Sequence, residues 1–221
     1  MEIIAHRGFC IQAVENTPAA VLAAWQIGAD AVEIDVRLSK DDTVAVIHDA
    51  NTNGIRVSAA DFQQLEKTGI ASLSQIFDVL PENKRVFIEI KCKSEIIPAL
   101  KTEIQRCAKQ RQIVLIGFDF QTMKQAKMNM PDICVCLSVR AKKGLNGSEL
   151  IKRACDNKFS GFALEYNFIT ADFTDMCKKS NLKIFAWTVN DTEIAKFLAD
   201  CRIAGIITDR PDLIRKAVEK E

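Results

Sequence analysis

The chain has 221 residues, of which 48% are hydrophobic and 27% are charged, and its formal net charge is +1. This composition is typical of a globular domain, and the near-zero charge excludes a broad basic surface for nucleic acid or membrane. No apolar run is long enough to span a bilayer, and no linker divides the sequence.

Short β-branched segments alternate with amphipathic segments along the whole chain. Strands are predicted at residues 2–5, 31–36, 85–90, 112–117, 133–137, 160–165, 183–188 and 204–208. Helices are predicted at residues 17–28, 94–110, 120–130, 148–157, 171–179, 191–200 and 210–220. Eight strands with helical crossovers indicate a (β/α)₈ TIM barrel. A doubly wound sheet usually has fewer strands and a Gly-rich phosphate loop, which is missing here.

The second strand is predicted to continue into a hairpin that turns at Asp42-Thr43. The segment 49–72, which follows this hairpin, breaks the alternation of strands and helices and contains a turn signal at Asn53-Gly54. We therefore predict a single barrel domain over residues 1–221, with a small insertion that carries a short helix.

The 8 cysteines are dispersed and form no Cys-x-x-Cys pair, which argues against a zinc or redox motif. The N-terminus shows no basic segment followed by an apolar one, so no signal peptide is visible. Together these features predict a reducing, cytoplasmic location.

Both histidines of the chain fall at predicted strand ends, where TIM barrels place their active sites. His6 ends the first strand, and His48 ends the partner strand of the hairpin. A single histidine is more often structural, but two at one barrel mouth favour acid–base catalysis, because the unperturbed pKa of histidine lies near neutrality. We therefore predict that His6 and His48 are the catalytic acid and base.

Glu33 and Asp35 lie two residues apart on the second strand, so their side chains point the same way. The alternative, a polar face in water, is disfavoured because the apolar residues beside them are those that helices would cover. Glu89 supplies a third carboxylate on the next strand. An all-carboxylate set favours Mg²⁺ or Ca²⁺. The histidines could also join this metal site, but no acid–base pair would then remain.

Arg7 and Lys91 are the cations at the same predicted strand ends, and both suit a phosphate group. Salt bridges to the carboxylates are the alternative, and both roles can hold at once. Trp187 either walls the pocket or packs in the core. Glu15 and Asn16 are predicted to orient Arg7 and to start the first helix. Two further carboxylates near strand ends receive no predicted role: Glu165 and Asp209.

Short motifs follow one another along nearly the whole chain. They read His6-Arg7-Gly8, Glu15-Asn16-Thr17, Glu33-Ile34-Asp35-Val36, His48-Asp49, Glu89-Ile90-Lys91, Trp187-Thr188-Val189-Asn190 and Thr208-Asp209-Arg210-Pro211. Each motif is weak alone, but the ordered set resembles the glycerophosphodiester phosphodiesterase family.

The resemblance implies a metal-dependent hydrolase on a (β/α)₈ barrel. Its small-molecule substrate would be a glycerophosphodiester, cleaved to sn-glycerol 3-phosphate and an alcohol such as choline or ethanolamine. Either water or the substrate's own glycerol hydroxyl is the attacker, and the hydroxyl would first give a cyclic phosphate. The residues carried over are Glu33, Asp35 and Glu89 for the metal, His6 and His48 for acid–base catalysis, and Arg7 and Lys91 for the phosphate.

Three departures from the family concern substrate choice. The insertion after the hairpin is short where some members carry a large cap, which would leave an open site able to take a longer substrate. An Arg-containing stretch that many members have after His48 is replaced by Ala50-Asn51-Thr52-Asn53-Gly54, and Gly117-Phe118 replaces a common Ser-Phe. A lysophospholipase D or related phosphodiesterase is therefore the alternative enzyme. A catalytically silent barrel that binds a phosphorylated metabolite is the alternative outside enzymes.

Overall fold

Eight parallel strands close into a barrel in the computed structural model, which describes residues 1–107 and 112–219. In chain order the strands are β1 (Glu2–His6), β2 (Ala31–Leu38), β3 (Val44–Val46), β4 (Asn51–Thr52), β5 (Ile55–Arg56), β6 (Ala71–Ser72), β7 (Arg85–Ile90), β8 (Ile113–Gly117), β9 (Cys134–Val139), β10 (Gly161–Glu165), β11 (Lys183–Trp187) and β12 (Gly205–Thr208). The barrel follows the order β1-β12-β11-β10-β9-β8-β7-β2, and β1 pairs back with β2. The predicted TIM barrel is confirmed.

Helices cover the outside of the barrel between successive strands. They are α1 (Pro18–Gln26), α2 (Phe62–Glu66), α3 (Leu73–Asp78), α4 (Ile97–Arg106), α5 (Phe120–Asn129), α6 (Gly147–Asp156), α7 (Ala171–Lys179), α8 (Thr192–Asp200) and α9 (Pro211–Val218). The predicted helices all appear, although 108–110 and 220 lie outside the described residues. Helix α3 was not predicted, although Ser72 and Gln75 form a capping box at its start.

Alternation along each barrel strand separates two apolar cores. On β2, Ala31 belongs to the lumen core, whereas Val32 and Ile34 pack in the core between strands and helices. Glu33 and Asp35 have the same parity as Ala31, so they face the lumen. The carboxylates are thereby placed above a closed apolar floor.

The segment after β2 folds as predicted into a hairpin and a small insertion. β3 pairs antiparallel with β2 (Val36 opposite Val46), and β4 pairs antiparallel with β5 around the turn at Asn53-Gly54. Helix α2 is the short helix expected in this insertion. The single-domain organisation stays a prediction, which limited proteolysis would test.

Gly8 lies where the chain turns sharply from β1 towards α1, with φ of +87°. A Cβ added at Gly8 would lie 2.6 Å from the carbonyl carbon of Ala20. Gly28 has a similar φ of +84°, but a Cβ there would meet nothing within 4 Å. These two glycines therefore separate the cost of a left-handed backbone from the cost of a steric clash.

Gly8→Ala is expected to lower the free energy of unfolding by about 2–5 kcal/mol, since it adds a clash to the left-handed strain. Gly28→Ala carries the strain alone and should cost about 1–2 kcal/mol. Urea unfolding of both variants measures the difference. Equal losses would contradict the close packing of Gly8 on α1.

None of the described helices is long and apolar enough to cross a membrane.

Candidate active site

A cleft of about 180 Å³ opens at the carboxyl ends of the barrel strands. It is lined by His6, Arg7, Glu33, His48, Glu89, Lys91, Ile116, Phe118, Arg140, Trp187, Thr188 and Ile207. Apart from Asp35, all the predicted site residues line this cleft. Asp35 is buried directly beside it, within 3.0 Å of Arg7 and 3.1 Å of Lys91.

Three carboxylates from two adjacent strands converge at the floor of the cleft. Asp35 on β2 lies opposite Glu89 on β7 in the strand register. Glu33, Asp35 and Glu89 each offer one oxygen, and these oxygens all lie within 4.8 Å of one another. This metal-compatible cluster includes neither histidine, so both histidines are free for other work.

One oxygen of each fully buried carboxylate accepts a hydrogen bond. The Arg7 amide donates to Glu33 Oε2 (3.2 Å), and Asn16 Nδ2 donates to Asp35 Oδ2 (3.0 Å). Of the other two oxygens, Glu33 Oε1 is buried without a hydrogen-bond partner in the part of the chain that the structure describes, whereas Asp35 Oδ1 lies 3.1 Å from the Lys91 ammonium. Buried oxygens of this kind are costly unless a cation or proton satisfies them. The donor set therefore fits a hard divalent cation such as Mg²⁺ or Ca²⁺.

The carboxylates perturb one another electrostatically. Burial, with further repulsion from Asp35 and Glu89, raises the pKa of Glu33 well above its ordinary value. Burial also raises the pKa of Glu89, although Lys91 opposes this shift. A bound cation would remove most of this repulsion, since it favours the ionised form of every carboxylate around it.

Arg7 and Lys91 both pair with these carboxylates, as the salt-bridge interpretation predicted. Lys91 Nζ donates to Glu89 Oε1 (2.7 Å), and Arg7 Nη1 donates to both oxygens of Glu15 (2.9 and 3.1 Å). Burial alone would lower the pKa of Lys91, but Glu89 and Asp35 raise it above its ordinary value. Both side chains are therefore fixed cations that remain charged at the edge of the cleft.

His6 is oriented by the last strand of the barrel. Its Nδ1 donates to Asp209 Oδ1 (2.7 Å), and Asn190 Nδ2 donates to the other oxygen of Asp209 (2.7 Å). The bond from His6 lowers the pKa of Asp209, which therefore stays ionised and only accepts hydrogen bonds. The Nδ1 atom thus carries the proton, and Nε2 faces the cleft, 3.9 Å from Glu33 Oε2.

His48 has a similar but more exposed arrangement. Its Nδ1 donates to Asp49 Oδ1 (2.7 Å), and this bond lowers the pKa of Asp49. Arg37 holds the backbone of His48, because its Nε donates to the His48 carbonyl (2.8 Å). The Nη1 of Arg37 donates to the Lys91 carbonyl (3.0 Å). Arg37 thus ties the hairpin that carries His48 to the strand that carries Lys91.

Trp187 walls one side of the cleft. Its ring contacts Phe118 edge to face at 5.5 Å. The indole Nε1 is buried and has no hydrogen-bond partner among the described residues. The Trp187 side chain therefore contributes an apolar wall to the cleft.

Three residues of this site were not predicted, and one prediction needs correction. Asp209 and Arg37 position the histidines, and Arg140 lines the rim. Arg37 extends the alternation of Glu33 and Asp35 along β2, a signal that could have revealed it. Glu15 binds the Arg7 guanidinium as expected, and the Asn16 amide donates to the Arg7 carbonyl (2.9 Å). The first helix, however, is capped by Thr17, and the Asn16 side chain exchanges hydrogen bonds with Asp35 (3.0 and 2.9 Å). The left-handed backbone of Asn16 (φ 58°) turns its side chain towards β2.

Comparison with known proteins identifies the family. The glycerophosphoryl diester phosphodiesterase family model matches residues 6–213. A glycerophosphodiester phosphodiesterase from Caldanaerobacter subterraneus subsp. tengcongensis is 28% identical over 242 residues, covering 99% of this chain and 98% of the relative.

Solved structures have the same fold. A glycerophosphodiester phosphodiesterase from Thermotoga maritima superposes with a TM-score of 0.85 at 25% identity, covering 98% of each chain. An Oleispira antarctica phosphodiesterase, solved with the product sn-glycerol-3-phosphate, has a TM-score of 0.88 at 23% identity and covers 100% of this chain and 97% of its own. The chain belongs to the glycerophosphoryl diester phosphodiesterase family.

Proposed function

We propose that this enzyme cleaves glycerophosphodiesters to sn-glycerol 3-phosphate and an alcohol, with a divalent cation held by Glu33, Asp35 and Glu89. The observation that carries the proposal is the cluster of three carboxylates, in which Glu33 Oε1 has no hydrogen-bond partner among the described residues, beside two oriented histidines. Family membership supports the same reaction class, and the Oleispira relative was solved with that product.

The phosphate would lie above the carboxylate cluster, beside the cationic side chains of Arg7 and Lys91. A cation in the cluster would supply charge stabilisation for the phosphoryl oxygens as their negative charge develops. Arg7 offers a planar fork of donors, and Lys91 offers a compact charge.

His6 and His48 would move protons on the two sides of the phosphate. One Nε2 accepts a proton from the attacking oxygen, and the other donates a proton to the departing alkoxide. Asp209 is a positioning residue for His6, since it fixes both the tautomer and the ring orientation. Asp49 has the corresponding place beside His48. Trp187 would contact the substrate through its ring.

Two attacking groups remain open, namely water and the hydroxyl of the glycerol portion. Hydroxyl attack would form a cyclic glycerol phosphate before sn-glycerol 3-phosphate appears. Phosphorus NMR during turnover distinguishes the two, because only hydroxyl attack produces the cyclic resonance.

The structure favours a short polar alcohol over a lysophospholipid. A long acyl chain would need an apolar rim beside Trp187, but the guanidinium of Arg140 stacks against Trp187 and Phe118 there (5.6 and 5.1 Å from the ring centroids). Lysophospholipids are therefore the second substrate class to assay. The predicted cytoplasmic location stays a prediction, which fractionation of the source cells would test.

Release of sn-glycerol 3-phosphate is expected from glycerophosphocholine, glycerophosphoethanolamine or glycerophosphoglycerol when Mg²⁺ or Ca²⁺ is present, and EDTA should abolish it. An enzyme-coupled assay for sn-glycerol 3-phosphate measures the release directly. Activity that persists in EDTA would refute the metal assignment. No release from any diester, with either ion, would refute the reaction and favour a silent phosphometabolite-binding barrel.

A further inference from the structure

Arg140 is a cation at the rim of the cleft that the proposed chemistry does not use. It directly follows β9, is exposed, and lines the cleft with Phe118 and Trp187. Its guanidinium carbon lies 5.1 Å from the centroid of the Phe118 ring and 5.6 Å from that of Trp187. Stacking on the two rings orients the guanidinium and leaves its N–H groups available to a ligand.

The charge of Arg140 is not compensated by a carboxylate. Arg7 and Lys91 are paired with carboxylates, but within residues 1–107 and 112–219 Arg140 has neither an ion-pair partner nor a hydrogen-bond acceptor. Glu165, at the end of the adjacent strand β10, instead accepts a hydrogen bond from the Ala141 amide (2.9 Å). The rim therefore carries one free guanidinium.

Arg140 is more exposed to solvent than the other cations of the cleft. The Arg7 and Lys91 side chains are only 20% and 16% exposed, whereas Arg140 is exposed. The scissile phosphate must lie near the carboxylate floor so that His6 and His48 can reach its oxygens. A guanidinium at the rim therefore faces a substituent of the phosphate rather than the phosphate itself.

We propose that Arg140 is a specificity-determining residue that binds an anionic group, either a carboxylate or a second phosphate, on the alcohol portion of the substrate. The inference rests on the proposed phosphodiesterase function and adds a substrate class to it. The planar fork of arginine matches both anions bidentately. A cationic alcohol such as choline is disfavoured at this position, because like charges repel across a binding surface.

Matched substrates test the inference. Glycerophosphoglycerol carries an uncharged alcohol. Its terminal phosphate monoester adds an anionic phosphate to that alcohol, and glycerophosphoglycerate has a carboxylate in place of the terminal hydroxymethyl group. Wild type, Arg140→Ala, Arg140→Lys and the control Lys142→Ala, an exposed position in the same loop, are each assayed for kcat and KM.

Arg140→Ala is expected to lower the ratio of kcat/KM for an anionic-arm substrate to kcat/KM for glycerophosphoglycerol by roughly 10- to 100-fold. The change should lie mainly in KM. Arg140→Lys should restore part of the ratio, since it keeps the charge but loses the fork, and Lys142→Ala should not change it. Loss with only one of the two anionic substrates identifies the recognised group.

Equal losses for all substrates, or an unchanged ratio with both anionic substrates, would overturn the inference. The proposed function would survive either result, because wild type would still cleave glycerophosphoglycerol. Absence of cleavage by wild type with every substrate would instead overturn the proposed function, and the inference with it.

Discussion

Replacing His6 or His48 with alanine is expected to lower kcat by about 10²- to 10⁴-fold, the usual contribution of a positioned acid or base. Each imidazole is oriented by a carboxylate at 2.7 Å, so each loss removes a preorganised proton transfer. Steady-state kcat values of wild type and the two variants on the same diester measure the loss.

An activated leaving group assigns the two roles. p-Nitrophenolate is a stable anion that leaves without being protonated. A variant that lacks the general acid should therefore recover most of its rate on a p-nitrophenyl phosphodiester. A variant that lacks the general base should not recover. Asp209→Asn should behave as a milder form of His6→Ala, and Asp132→Asn, at an exposed site, is the matched control. Near-wild-type turnover in both alanine variants would refute the acid–base pair.

Glu33→Gln is expected to abolish divalent-ion binding and to lower kcat/KM by about 10²-fold or more, since metal-based charge stabilisation contributes several kcal/mol. The same change should stabilise the metal-free protein by about 0.5–2 kcal/mol. Glutamine keeps an oxygen for the Arg7 amide and removes the charge that Asp35 and Glu89 repel. A loss of activity together with a gain in metal-free stability is expected for a metal ligand, whereas replacing a structural carboxylate would lower stability.

The stability gain depends on pH in a defined direction. The pKa of Glu33 is raised in the folded protein, so the folded state holds this proton more tightly than the unfolded chain. Stability from this group is therefore greatest at acidic pH and falls as pH rises from the ordinary carboxyl value through the raised one. The advantage of Glu33→Gln should appear over that window and be absent below it.

Thermal unfolding with and without Mg²⁺ or Ca²⁺ measures these effects. An ion at 100 times its Kd should stabilise wild type by about 2.7 kcal/mol, or roughly 5–10 °C in Tm. Glu33→Gln should show no such shift, and Glu82→Gln, at an exposed position, should retain it. A full ion-induced shift in Glu33→Gln would contradict the role of Glu33 as a ligand.

The barrel and most of the cleft could be predicted because they depend on local patterns. Alternation along β2 places Glu33 and Asp35 on the lumen side wherever helices cover the other face. The rule that barrel sites lie at strand ends then brings His6 and Lys91 to the same opening. Each of these inferences uses only the residues within one strand and a general rule about barrels.

The rest of the site depends on distant contacts that no local pattern encodes. Asp209 and His6 are 203 residues apart, and only the pairing of β1 with β12 brings them together. Arg140 follows β9, but its position is determined by the ring of Phe118, which follows β8, and the ring of Trp187, which ends β11. Asn16 belongs to the motif that follows the Arg7 motif in the sequence, yet its left-handed backbone directs its side chain to Asp35.

The pairing of β1 with both β2 and β12 has a consequence for the order in which the enzyme becomes active during synthesis. The carboxylate cluster and both histidines lie within the first 91 residues, but the partner that orients His6 emerges near the end of translation. The proposed cation ligands are therefore synthesised long before the partner that orients His6. Turnover depends on closure of the barrel by its last strand.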